Sequence, residues 1–211
     1  MRFKIGRIPE TAEAPAEDGW LKLREPPMWV TRLISLPLSL VLALIAALFV
    51  IRLTKISSAG LTGGVLIAVY VGTIAMHELI HASINPDRGL SDRTTLGFWP
   101  TRLVFFVYYE GSRSKRNHML CLLAPFLLLS VLLLLASHYL GWNSWILGAV
   151  IILNAAASSA DVLNFFITMF GVPNSSQLQN RGWTTYWRAT GSTVSSNQPL
   201  QPITREDARS G

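Results

Sequence analysis

Cysteine and charge are what this chain has least of. One residue of 211 is a cysteine, Cys121. A single thiol excludes an intramolecular disulfide framework and any cysteine-rich zinc knuckle, and its expected role is that of a buried, inert side chain. Charged residues make up 14% of the chain, against about 25% in ordinary soluble domains, while 50% are hydrophobic. That is the composition of a membrane protein. The charges crowd into the two ends and one central loop, so the net charge of +6 describes loops rather than a binding face. In an apolar chain such a bias belongs beside anionic headgroups. No stacking or groove-reading module accompanies it, so the expected partner is the lipid bilayer and not nucleic acid. The opening residues, MRFKIGRIPETAEAPAEDGW, contain no apolar core of the kind a cleavable signal needs, and the first spanning helix is expected to direct insertion.

Long hydrophobic runs are what the chain has instead. Residues 33–53, 61–85, 118–140 and 144–170 are each long enough, at ~1.5 Å per residue, to cross a ~30 Å hydrocarbon core. Pro37 falls near the start of the first run, Asn85-Pro86 closes the second, Pro125 predicts a kink in the third, and Gly141-Trp142-Asn143 turns into the fourth. Between the second and third runs, residues 103–109 are too short to span and rich in β-branched and aromatic side chains, which predicts a β-hairpin. The expected fold is therefore an all-α membrane protein of four transmembrane helices with a short cytoplasmic β-hairpin between helices two and three. It divides into a cytoplasmic N-terminal arm (1–30), a transmembrane domain (31–170) and a cytoplasmic, mostly disordered tail (171–211) in which Trp183, Tyr186 and Trp187 can anchor to headgroups. Lys and Arg number six before helix one, two at its far end and in the turn to helix two (Arg52 and Lys55), six between two and three, none between three and four, and four after. This count predicts a multi-pass protein of the cell membrane with both termini and the hairpin loop inside.

One stretch carries chemistry: Ala75-Met76-His77-Glu78-Leu79-Ile80-His81-Ala82. On a helix, positions i and i+4 stack on one face, so His77 and His81 can offer two imidazoles to one zinc ion, and Glu78, about 100° around, can serve as general base without being a ligand. Three ionisable groups inside an apolar helix are costly unless something binds or pairs them. A catalytic zinc needs about three protein ligands. His118, His138, Cys121 and the carboxylates are the candidates for the third. Asp161 is the one other carboxylate deep in a span, and it lies level with His77: each sits ~24–26 Å along its own helix. His118, at the start of helix three beside Lys115 and Arg116, reads as a surface residue, and His138 reads as lying at the opposite face. Asn154, Ser158 and Asp161 form a polar stripe on helix four, from which Asn154 and Ser158 can orient ligands or substrate, or serve as ordinary polar packing.

An HExxH on one membrane helix with an Asp on a later one resembles the site-two protease type of intramembrane zinc peptidase. That group has an Asn-Pro-Asp-Gly-like turn at its ligand Asp, where this chain reads Asn154-Ala155-Ala156-Ala157-Ser158-Ser159-Ala160-Asp161. The chain is more similar to the small four-helix putative zincin peptidase family. Four features carry that resemblance over residues 19–170: Gly19-Trp20 and the Pro-rich lead-in, the HELIHA motif, Leu123-Ala124-Pro125, and Asn154 to Asp161. It implies a zinc-dependent membrane peptidase with one zinc ion on His77, His81 and Asp161, and Glu78 as the base.

The expected reaction is hydrolysis of peptide bonds in membrane-embedded or membrane-proximal segments of a protein or peptide substrate. A peptide must be extended to be cut, and the hairpin can supply that by taking the substrate as an added strand along Leu103, Val104, Phe105, Phe106 and Val107. Val104 and Phe106 are expected to lie on the free edge. The rival reading is a non-enzymatic membrane protein whose histidine pair binds metal or haem for structure, sensing or transport. That reading gives Glu78 no chemical reason to sit between the ligands.

Overall fold

The computed structural model describes residues 1–9, 19–54, 62–102 and 104–190. In chain order the elements are β1 (Arg2–Ile5), β2 (Leu21–Lys22), α1 (Met28–Leu53), α2 (Gly63–Ile84), β3 (Thr94–Trp99), β4 (Val104–Tyr109), β5 (Ser112–Ser114) and α3 (Lys115–Pro125). A π-helical segment, Phe126–Leu132, leads into α4 (Leu133–Leu140), followed by α5 (Trp145–Ala157), α6 (Ser159–Gly171), β6 (Ser176–Arg181) and β7 (Thr184–Ala189).

Among the described residues three helices are long and apolar enough to cross a membrane: Met28–Leu53, Gly63–Ile84 and the continuous Lys115–Leu140. On α1 the reason is visible in the pattern of exposure. Leu33, Leu36, Leu40, Leu44, Leu48 and Ile51 point outward, whereas Ala46 and Val50 pack against Ile151 and Ala155 of α5. The small residues at this contact let the backbones approach closely, as membrane helices require.

The expected single fourth helix is two helices, Trp145–Ala157 and Ser159–Gly171, bent by 44°, and it counts as a span only if the two halves are taken as one. Ser158 Oγ donates to the Asn154 carbonyl at 2.8 Å, four residues back. The same carbonyl also accepts the Ser158 N–H at 2.9 Å, and a serine hydroxyl sharing the carbonyl four residues back bends a helix.

The all-α expectation is overturned: the chain carries two β-sheets beside its helices. One has the order β1-β3-β4, with β1 parallel to β3 and β3 antiparallel to β4. The other has the order β2-β7-β6-β5. The hairpin expected at 103–109 is one strand of the first sheet, with β3 as its partner; Leu103 lies outside the described residues. Gly97 stands opposite Phe106 because a Cβ there would run into the phenyl ring. Two further strands come from the expected arm, and a hairpin comes from within the expected tail. In that hairpin Gly182 takes φ 57° between Arg181 and Thr184. A Gly-x pair in a two-residue loop matches the twist of its strands, and Leu178 is wholly buried against Leu23 and Val172. Residues 10–18 of the expected arm and 191–211 of the expected tail lie outside the described residues.

Two polar devices fix the helices to these sheets. Lys115 is buried at 5% exposure, and its three ammonium hydrogens go to Met169 O (2.9 Å), Val172 O (2.6 Å) and Asn174 Oδ1 (3.2 Å), which caps the end of α6 from the start of α3. After α2, Asp87 accepts bonds from the Gly89 amide (3.0 Å) and the hydroxyls of Ser91 (2.6 Å) and Thr94 (2.8 Å). Partial burial pushes the Asp87 carboxyl up, but these bonds outweigh it and hold the group below its usual range.

Candidate metal centre

His77 and His81 stand one turn apart on the buried face of α2, and Asp161 approaches them from the first turn of α6. His77 Nε2 lies 3.1 Å from His81 Nε2 and 3.1 Å from Asp161 Oδ2, and His81 Nε2 lies 3.5 Å from the same carboxylate oxygen. Three ligand-type atoms thus form a nearly equilateral triangle. The face of a tetrahedral zinc site with bonds of ~2.0–2.1 Å has edges of about 3.3 Å.

The proton positions follow from the other side of each ring. His77 Nδ1 faces Asn154 Oδ1 at 2.9 Å, and His81 Nδ1 faces the Cys121 carbonyl oxygen at 2.8 Å. Oxygens of these two kinds only accept, so each Nδ1 carries the hydrogen and donates it. The Asn154 amide is itself fixed in that sense, because its Nδ2 donates to Pro125 O (3.0 Å), which only accepts, and to Ser130 Oγ (2.8 Å). Ser130 Oγ in turn donates to Ile151 O at 3.1 Å. Every donor in this relay has an acceptor, and it ends on an imidazole that, in its neutral form, presents a lone pair at Nε2. Two such lone pairs and a carboxylate oxygen facing one another at 3.1–3.5 Å repel unless a cation sits among them. Among the described residues His77, His81 and Asp161 are the group of potential ligands close enough to hold one ion together, and their donor set fits zinc.

A cavity of about 470 Å³ opens on this triangle. Glu78 lines it beside His77, His81 and Asp161, and so do β4, from Val104 to Tyr108, and Trp183 and Thr185 of the β6–β7 hairpin. Glu25 reaches into the same space and accepts from the Thr185 hydroxyl (2.6 Å) and amide (3.0 Å). Burial pushes the Glu25 carboxyl up, and the Thr185 bonds offset this only in part. Arg113 Nη1 donates to Asn85 Oδ1 at 3.0 Å, which turns the Asn85 amide nitrogen away, without a partner among the described residues.

His77, Glu78, His81 and Asp161 are therefore brought to one cavity, together with Val104, Phe105, Phe106 and Val107. Asn154 contacts the candidate ligand His77 and Ser158 does not, since its hydroxyl is taken by the Asn154 carbonyl. His118 is buried at 5% exposure and lines the cavity, with no partner for Nδ1 among the described residues, and is not the surface residue its neighbours suggest. His138 binds Leu53 O at 2.9 Å, at the end of α1. The residues that orient the ligands through backbone carbonyls, Cys121 and Pro125, have no side-chain signal that points to that role. Ser130 looks like one more small polar residue in an apolar run.

A helix-borne HExxH, completed by a carboxylate from a later helix and set among apolar helices, defines a zincin-like site. A family model described as putative zincin peptidase matches residues 70–177, and the chain belongs to that family. No curated protein and no solved structure matches the chain.

Proposed function

We propose that the protein is a zinc-dependent membrane metallopeptidase that cuts membrane-embedded or membrane-proximal segments held in extended form. The observation that carries this reading is the sharing of one cavity by the three converging lone pairs, Glu78 and the strand β4. Zinc, held by His77 Nε2, His81 Nε2 and Asp161 Oδ2, would supply a Lewis acid that polarises the scissile carbonyl and lowers the pKa of attacking water. Glu78 takes the proton from that water and delivers it to the leaving amine. The buried Asn154 amide and Cys121 carbonyl keep the imidazoles in one tautomer throughout. His77 lies seven residues from the end of α2 at Ile84, ~10 Å along the axis, so the site sits toward the sheet-bearing end of the helix.

The ladder supports entry of a peptide as an added strand. Glu110 N–H bonds Arg93 O at 2.8 Å and continues the register in which Thr94 faces Tyr109. By the alternation of an antiparallel pair, Val104, Phe106 and Tyr108 turn their backbone groups to β3, and Phe105 and Val107 turn theirs outward. Val104 and Phe106 are thus ladder positions rather than the edge positions expected, and the edge donors are Phe105 and Val107. Since β4 ends its sheet among the described residues, that edge is available for strand addition. Proline at Val107 removes one edge N–H, whereas alanine keeps it. The expected result is about tenfold slower cleavage of a membrane-segment reporter for Val107→Pro than for Val107→Ala, at equal zinc content. Equal rates for the proline and alanine variants, at both Phe105 and Val107, would rule out strand addition.

A further inference from the structure

Pro125 sits wholly buried where α3 passes into the π-helical segment, and both ligand histidines lead back to it. In an α-helix the Cys121 carbonyl would accept from the N–H four residues on. That position is Pro125, which has no N–H and whose ring pushes the carbonyl of residue i−4 off the helix axis. The carbonyl so released accepts His81 Nδ1–H at 2.8 Å. The Pro125 carbonyl, where the helix widens, accepts Asn154 Nδ2 at 3.0 Å, and Asn154 Oδ1 holds His77 Nδ1–H at 2.9 Å. Ser130, inside the same widened segment, takes the second Asn154 hydrogen at 2.8 Å. π-Helical turns of this kind recur where a side chain or carbonyl must leave the regular ladder.

We infer that Pro125 is a positioning residue for the metal centre: its missing N–H frees the Cys121 carbonyl to orient His81, and its own carbonyl anchors the amide that orients His77. The inference rests on the zinc reading of the site. It assigns to one proline the orientation of both imidazoles, through two routes that share no other atom, and explains why a helix-breaking residue is tolerated in the middle of an apolar span.

The two routes respond differently to substitution. Alanine at 125 keeps a carbonyl for Asn154 and restores an N–H that competes for Cys121 O. Lactic acid at 125, introduced as an ester-linked residue, has the same methyl side chain and no N–H. We expect zinc affinity of the full chain in detergent, measured by chelator competition, to fall about 10- to 100-fold in Pro125→Ala, the range usual for lost ligand-orienting contacts, and to stay within a few-fold of wild type in the lactic acid variant. Pro37→Ala, in α1, should leave affinity unchanged. Equal losses in the alanine and lactic acid variants would show that the ring matters and the missing N–H does not, and would overturn the inference; so would wild-type affinity in Pro125→Ala. If Pro125→Ala does not fold, a folded lactic acid variant with weakened zinc binding overturns it equally. A wild-type chain that binds no zinc removes the reading beneath it, which is a separate and distinguishable failure.

Discussion

Glu78→Gln is expected to remove peptide hydrolysis while leaving zinc bound. Glutamine matches glutamate in size and keeps the side chain in the cavity, but it cannot accept a proton from water. Loss of a positioned general base costs roughly 10²–10⁴-fold in rate. The three atoms of the triangle belong to His77, His81 and Asp161, so zinc affinity should change by no more than a few-fold. The measurement is paired: cleavage of a membrane-segment reporter and zinc content on the same preparation. A Glu78→Gln protein that cleaves at the wild-type rate would remove Glu78 from the mechanism. A wild-type chain that binds zinc yet cleaves nothing in a broad membrane-fragment comparison would favour a structural or transport role for the metal.

Loss of any one ligand is the second large effect. A structural zinc site of four ligands is worth roughly 10–16 kcal/mol, about a quarter of that per ligand, so removing one should weaken binding on the order of a hundredfold or more. His77→Ala, His81→Ala and Asp161→Ala should each show this in chelator competition. Cys121→Ser should not, because the close acceptor for His81 Nδ1 is the Cys121 backbone carbonyl at 2.8 Å, with the sulfur a full ångström farther at 3.8 Å. Asp161→Ala at full affinity would send the search for the third ligand to His118, which lines the same cavity with a ring nitrogen that has no partner among the described residues.

What the sequence discloses here follows from where the information is carried. His77, Glu78 and His81 are legible because a helix converts the spacing i, i+1, i+4 into a face, and Asp161 because a carboxylate in an apolar run needs a reason. The sheets are less legible. β1 and β2 have exposed side chains, and their order comes from backbone pairing with β3 and β7, which leaves no hydrophobic pattern to read. The β6–β7 hairpin is a missed signal: Gly182-Trp183 in a two-residue loop, with Leu178 pointing inward, is a turn with flanking alternation inside a stretch whose Ser, Thr and Gln content suggests a tail. The bend at Ser158 and the release of Cys121 O by Pro125 are invisible for a different reason. Both act through main-chain carbonyls, which every residue has: the Asn154 carbonyl is shared with a serine one turn on, and only the packing of α3 against α2 gives the Cys121 carbonyl its histidine partner.

X-ray absorption at the zinc edge of the purified wild-type chain tests the central claim most directly, because it reads the atoms around the ion without a substrate. The account predicts one zinc per chain with two imidazole nitrogens and carboxylate oxygen around it, no sulfur, and loss of that signature in a His77→Ala, His81→Ala double variant. A chain without zinc, or zinc bound through sulfur or unchanged in the double variant, would contradict it.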